Sequence, residues 1–301
     1  MTKFQLYILL VVVCVFANTA SAQDEDLLSM VGGDEKPKKE RVKYAFKSPR
    51  VINSHSIEFL NPGTLDFRIL HRFGQLDQGY KNFFGLDQAS MRMSFDFGIM
   101  HNLMAGVGRS TFNKELDAFV KYAPIRQSTG GKLNSPVTVA LVSGITMDGM
   151  DWADPSRTNY FTSRLAYYFQ AVIGRKFSEG FSLQVSPTMV HKNLVQLESD
   201  PNNIYALGIG GRLKVSKRVA LTWDYNHVLV GMPDSGYYNP LSVGVDIETG
   251  GHVFQLHFSN ATGMNERAFI TETTGNWGKG EVRFGFNLSR VFQLKKHKKK
   301  D

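Results

Sequence analysis

Cysteine occurs once in the 301 residues, at Cys14, inside the apolar stretch that opens the chain. If that stretch is a cleaved leader, the mature chain has no disulfide, no thiol nucleophile and no thiolate metal site. After residue 16 no run is long and apolar enough for a transmembrane helix, which excludes a helical anchor. It does not exclude a membrane, because a closed barrel satisfies every backbone group and carries a weaker signal per segment. Gly-x-Ser-x-Gly and His-Glu-x-x-His are both missing, so neither a nucleophile elbow nor a zinc pair is written in the chain. Gly106-Val107-Gly108-Arg109 is only superficially a phosphate loop, since it lies within a strand pattern and opens no helix. The formal charge of +8 is concentrated in Lys295, Lys296, Lys298, Lys299 and Lys300, a tail and not a binding face, and nucleic acid is not an expected partner.

Lys3, the apolar run over residues 6–16 and Ala20-Ser21-Ala22 follow the charged, apolar and small-residue order of a secretory signal peptide, with cleavage expected before Gln23. Residues 1–22 are read as that signal. Residues 23–50 are polar and charged and are expected to form a flexible periplasmic arm. Residues 51–294 are assigned to the fold and 295–301 to a basic tail.

From residue 51 the chain breaks into short alternating segments, and no helical period is sustained. Leu65, Phe67, Ile69, His71 and Phe73 share one face, with Asp66, Arg68, Leu70 and Arg72 on the other. Residues 91–110 read as a hairpin in which Met91, Met93, Phe95, Phe97 and Ile99 alternate with Arg92, Ser94, Asp96 and Gly98. A two-residue turn at His101-Asn102 would set Arg109 beside Ser94 on the charged face, leaving Gly106 and Gly108 outward under Phe95 and Phe97. Further strands are expected at residues 116–122, 137–145, 165–173, 181–186, 204–215, 219–228, 241–247, 253–259 and 282–292. The count is twelve, and an even number of such strands is what a single-chain outer-membrane barrel uses.

Connections after even strands are short, and most of those after odd strands are long, as expected of periplasmic turns and extracellular loops. Residues 111–113 and 127–135 break the pattern. Phe83, Phe84, Trp152, Tyr160, Tyr237, Tyr238 and Trp277 lie in or beside the long loops, where an interfacial aromatic girdle belongs. The predicted fold is therefore all-β, a closed antiparallel up-and-down transmembrane barrel of about 12 strands, in a bacterial outer membrane with both termini periplasmic. A soluble sandwich is the alternative, but its outer faces would be wet.

On inward parities this barrel would carry Asp66, Arg68, Arg72, Arg92, Asp96, Arg109, Lys121 and Arg164. Mixed charge of this kind reads as an ion-pair network filling the lumen, as an arginine ladder favouring small polar or anionic solutes, or as a seal beneath a loop surface. His71 falls at headgroup level. Asp148, Asp151 and Asp154 are evenly spaced oxygen donors without the glycine and glutamate of a calcium loop, so they are weak metal candidates. No cofactor is implied. Expected partners are outer-membrane lipid and the barrel-assembly machinery.

Arg50-Val51-Ile52-Asn53-Ser54-His55-Ser56, His71-Arg72-Phe73-Gly74, Gly85-Leu86-Asp87, Gly106-Val107-Gly108-Arg109-Ser110 and Gly285-Phe286-Asn287-Leu288-Ser289-Arg290 resemble an uncharacterised family of Bacteroidota-type outer-membrane β-barrels, a domain of unknown function. The resemblance spans about residues 47–294. It implies fold and compartment and no activity. A passive pore and a non-conducting structural or partner-binding barrel both remain open, with a membrane hydrolase as a remote third.

Overall fold

A computed structural model describes residues 39–130, 134–195, 197–232, 236–249 and 252–294. The expected signal peptide, the arm as far as residue 38 and the basic tail lie outside the described residues. Among the described residues, twelve strands close into one antiparallel barrel. They are β1 (Thr64–Gln75), β2 (Ala89–Met100), β3 (Leu103–Ser110), β4 (Leu116–Ile125), β5 (Thr138–Met147) and β6 (Leu165–Lys176). The second half comprises β7 (Phe181–Lys192), β8 (Asn203–Lys214), β9 (Val219–Val230), β10 (Leu241–Thr249), β11 (His252–Ser259) and β12 (Arg283–Gln293). Each strand pairs with the next, and β12 pairs with β1 to close the ring, so no edge is left unpaired.

The period of two explains the wall. Along β7, Ser182, Gln184, Ser186 and Thr188 are buried inside. On the outer surface Phe95, Val107, Val120, Leu141, Phe169, Leu221, Val243 and Leu256 are exposed. A polar interior beneath an apolar exterior is the inverse of a soluble sandwich and suits a barrel surrounded by hydrocarbon.

One register differs from the sequence expectation. Met100 does face Leu103 across the turn, but Gly98 faces Met104, which leaves Ile99 as an extra residue in a β-bulge. One unpaired residue flips every later side chain of β3 to the opposite face. Arg109 therefore pairs with Met93 and is exposed on the outer surface, not lumenal, while Gly106 and Gly108 face inward opposite Asp96 and Ser94. The inward glycines have a steric reason. A Cβ on Gly106 would strike Phe119 and Asp96, and one on Gly108 would strike the Arg92 guanidinium. Arg109 sits at the loop end, where an outward charge costs only about 0–1 kcal/mol against about 2–4 at midplane.

The arm and barrel boundaries also shift. Residues 45–57 are almost entirely buried, so the expected arm is not free up to residue 50, and the barrel wall begins at Thr64 and not near residue 51. The chain comes in at the turn end, where Glu40 and Arg41 pair with Thr129 and Ser128. This pairing accounts for the long connection between β4 and β5, which serves as a docking edge. The chain then folds inside the barrel and returns to the turn end to begin β1, where Gly63 N donates to Gly98 O and Leu294 N donates to Gly63 O.

Candidate functional site

The site is the lumen, and the chain fills it from both ends. Residues 49–56 form a hairpin: Ser56 N donates to Pro49 O, Val51 N donates to Ser54 O, each at 2.9 Å, and Arg50 bridges His55. Irregular backbone at membrane depth is tolerated only where protein satisfies its polar groups. Side chains of the wall do so here. Asp224 Oδ2 accepts from the amides of Ile52, Asn53 and Ser54 at 3.3, 2.7 and 3.0 Å. Asn287 donates to Ile52 O at 2.9 Å, Gln255 donates to Val51 O, and Gln184 both donates to His55 O and accepts from Ile57 N.

From the loop end comes α1 (Glu266–Thr271), in the connection between β11 and β12. Asn265 caps it by accepting from Ala268 N at 2.9 Å, and Ala268, Phe269 and Ile270 are buried. The two insertions meet in the middle. Arg50 Nη1 donates to Glu266 Oε1 at 2.8 Å, with both side chains 1% exposed, and His55 Nε2 lies 3.3 Å from the same oxygen and 3.2 Å from the Tyr168 hydroxyl. Phe119 packs edge-on against His55.

The wall charges expected inside divide by what they hold. Arg68 Nη1 donates to Ser48 Oγ at 2.6 Å, and Arg72 Nη2 donates to Asn53 Oδ1 at 2.7 Å. Lys121 Nζ donates to Glu58 O at 2.7 Å and lies over the Phe59 ring. Asp66 accepts from Ser289 Oγ at 2.6 Å. Arg92 makes a two-pronged bond to Asp117 at 2.8 and 2.5 Å, in the space that Gly108 leaves. Asp96 is buried with neither carboxylate oxygen bonded to protein. Arg68, Arg72 and Lys121 thus grip the inner segment. Arg109 is outside, as described above, and Arg164 is not on the wall either. The strand begins one residue later, so Arg164 closes a 3-10 turn at the loop end, with its guanidinium 3.9 Å from the Trp152 ring centre.

The remaining expected residues lie at the loop end or on the outer face. Phe83, Phe84, Tyr160 and Trp277 are exposed in the connections, whereas Trp152, Tyr237 and Tyr238 are partly covered by loop packing. Phe83 and Phe84 adopt φ of 46° and 53°, a left-handed conformation rare for aromatic residues. His71 stacks on Phe286 at 4.9 Å on the outer face. Asp148 accepts from Met150 N, and Asp154 accepts from Ser156 N and Oγ, which holds the Asp154 carboxyl below its ordinary range. Each is spent on its own turn. Among the described residues no group of three or more His, Cys, Asp or Glu is placed to hold a metal.

Sequence reasoning missed Arg50, Asn53, His55, Asp117, Asp224 and Glu266. The signal was thin. Arg50, Asn53, Ser54, His55 and Ser56 crowd hydrogen-bonding groups around Val51 and Ile52 in a stretch too irregular for a strand.

Above α1, at the loop end, lies a cavity of about 680 Å³ whose lining includes Asp148, Arg164, Lys192, Asp200, Arg267 and Glu272. Arg267 ties this floor together, pairing with Glu272 at 2.7 Å and with Glu115. Burial pushes the Glu115 carboxyl up to about 7, outweighing the opposing pull of Arg267 and the hydrogen bond from Asn265.

Residues 46–292 match the family model described as a membrane bound beta barrel domain (DUF5777). Among solved structures the chain is similar to the NanC porin, at 10% identity and a TM-score of 0.47 over 77% of this chain and 100% of that one. It is similar to the KdgM porin at 10% identity and a TM-score of 0.46, over 76% and 99%. It is also similar to the Acinetobacter baumannii outer membrane protein Omp33 at 8% identity and a TM-score of 0.42, over 76% and 98%. No curated protein matches it.

Proposed function

The chain belongs to the membrane bound beta barrel family (DUF5777), and from that premise we propose that it is an outer-membrane barrel closed at rest by its own inner segment, serving as a non-conducting binding or structural component and not as an open passive pore. The observation that carries this reading is the Arg50–Glu266 contact, where the turn-end hairpin and the loop-end helix meet across the lumen. The family match begins at residue 46, so the hairpin is part of the family domain and not an appended tail. Short turns with both described chain ends on one side support a periplasmic turn end, and the leader-like residues 1–22 support bacterial export.

A second reading is favoured by the wall itself. Ser94, Gln184, Thr222, Ser242, Gln255 and Asn287 are polar and face inward, so withdrawal of the hairpin would leave a wet passage for small polar solutes. Among the described residues there is no cysteine, so no disulfide ties the hairpin to the wall. Planar-bilayer recording separates the readings. The full chain is expected to give no steady conductance, and a variant lacking residues 45–60 is expected to conduct. Steady open current from the unaltered chain would overturn the closed reading.

A further inference from the structure

Beneath the barrel, at the turn end, a pocket of about 420 Å³ is lined by Lys39, Arg41, Asn102, Arg126 and Ser128, with Ala123 and Pro124 completing it. Three cations converge there, and no carboxylate lines the pocket. They come from two parts of the molecule that the fold brings together. Lys39 and Arg41 belong to the lead-in to the inner segment, which Val42 N secures by donating to Gln127 O at 2.9 Å. Arg126 follows β4, and Asn102 is the second residue of the turn between β2 and β3.

Arg126 is the telling residue. Its guanidinium lies over the Phe59 ring, 4.8 Å from the centre, and its Nη1 is buried with no protein partner. Glu58 is the carboxylate whose charge acts on it, but Glu58 Oε1 already accepts from the Ala45 and Phe46 amides. Burial pushes the guanidinium below its ordinary value against the opposing pull of Glu58, and the neighbouring Arg41 adds to the lowering. A guanidinium presents several donors in a fixed plane, matching the oxygens of a phosphate group, and Lys39 and Arg41 add two further cations at the same pocket.

We propose that this pocket is an anion site that takes a phosphate group, either free phosphate or the headgroup of an anionic lipid, and that the bound group bridges the lead-in of the inner segment to the barrel turns. Lys39 and Arg41 on one side and Arg126 and Asn102 on the other then hold one ligand between them. The proposal does not depend on whether the lumen conducts.

The test uses the full chain, refolded in detergent micelles or in nanodiscs. Phosphorus NMR line broadening of inorganic phosphate reports the free anion, and native mass spectrometry of nanodiscs holding phosphatidylglycerol and phosphatidylcholine reports retained headgroups. Arg126→Gln and the pair Lys39→Gln with Arg41→Gln are each expected to weaken binding on the order of tenfold or more, the loss of one or more charge-assisted hydrogen bonds. The paired substitution touches only exposed residues outside the wall, so the barrel keeps its heat-modifiable gel mobility and the comparison stays valid. Saturable phosphate broadening that the variants abolish supports a free-anion site. Selective phosphatidylglycerol retention that the variants abolish, without phosphate binding, supports a headgroup site. Binding of neither, or binding that the variants leave unchanged, overturns the proposal.

Discussion

Replacing Arg50 with alanine is the sharpest perturbation of the closed lumen. The side chain donates to Glu266 Oε1 at 2.8 Å and to Asn53 O at 2.6 Å, and it lies over the Phe119 ring. Removing it leaves Glu266, 1% exposed, facing His55 without its guanidinium. Breaking a buried pair by deleting one partner costs about 3–5 kcal/mol. Arg50 belongs to the inner hairpin and Glu266 to α1, and neither is a barrel strand, so the cost falls on the closed arrangement and not on the wall. At about 1.4 kcal/mol per decade, the population with the hairpin displaced rises by about two to three and a half decades, from roughly 10²-fold to several times 10³-fold. In planar bilayers the unaltered chain is expected to be silent and Arg50→Ala to show brief openings. Adding Glu266→Gln to Arg50→Ala removes the stranded charge and is expected to reduce those openings. A folded Arg50→Ala barrel as silent as the parent would refute the argument, and so would a double variant that opens more often than the single one.

Two further outcomes follow from the register and from the loop end. With Ile99 bulged, Met93→Cys combined with Arg109→Cys should cross-link on mild oxidation, whereas Ser94→Cys with Arg109→Cys should not; the reverse pattern, read from the gel mobility of the denatured chain, would restore the unbulged register. Glu115 in the fold binds its proton up to about 7, against an ordinary value of 4.5, so its contribution to stability is full below about 4.5 and is lost as pH rises through about 7. Glu115→Gln is therefore expected to flatten thermal stability across that window, and an unchanged slope would show that Arg267 and not burial governs the carboxyl.

The wall was legible in the chain because strand alternation is local. Asp66, Arg68, Arg72, Arg92, Asp96 and Lys121 fall inward by parity alone, given the sign of the greasy face, and the family match agrees with the barrel that this parity predicts. Arg109 and Arg164 failed for equally local reasons that leave no mark in a parity count. A single bulged residue costs one ladder position and reverses everything beyond it, and a strand that starts at Leu165 leaves Arg164 in the turn before it.

By itself, then, the sequence determined strand number, the polar lumen, the apolar belt and the side on which the long connections lie, since each follows from period and turn chemistry over a few residues. Tertiary structure alone decided that the lumen is occupied. Arg50 and Glu266 stand 216 positions apart, and Asn53 and Asp224 stand 171 apart. The hairpin's own pattern does not say where its amides are satisfied. Only closure of the ring brings Asp224, Gln255 and Asn287 to one level inside it, and the need to pair every buried backbone group then holds the segment there.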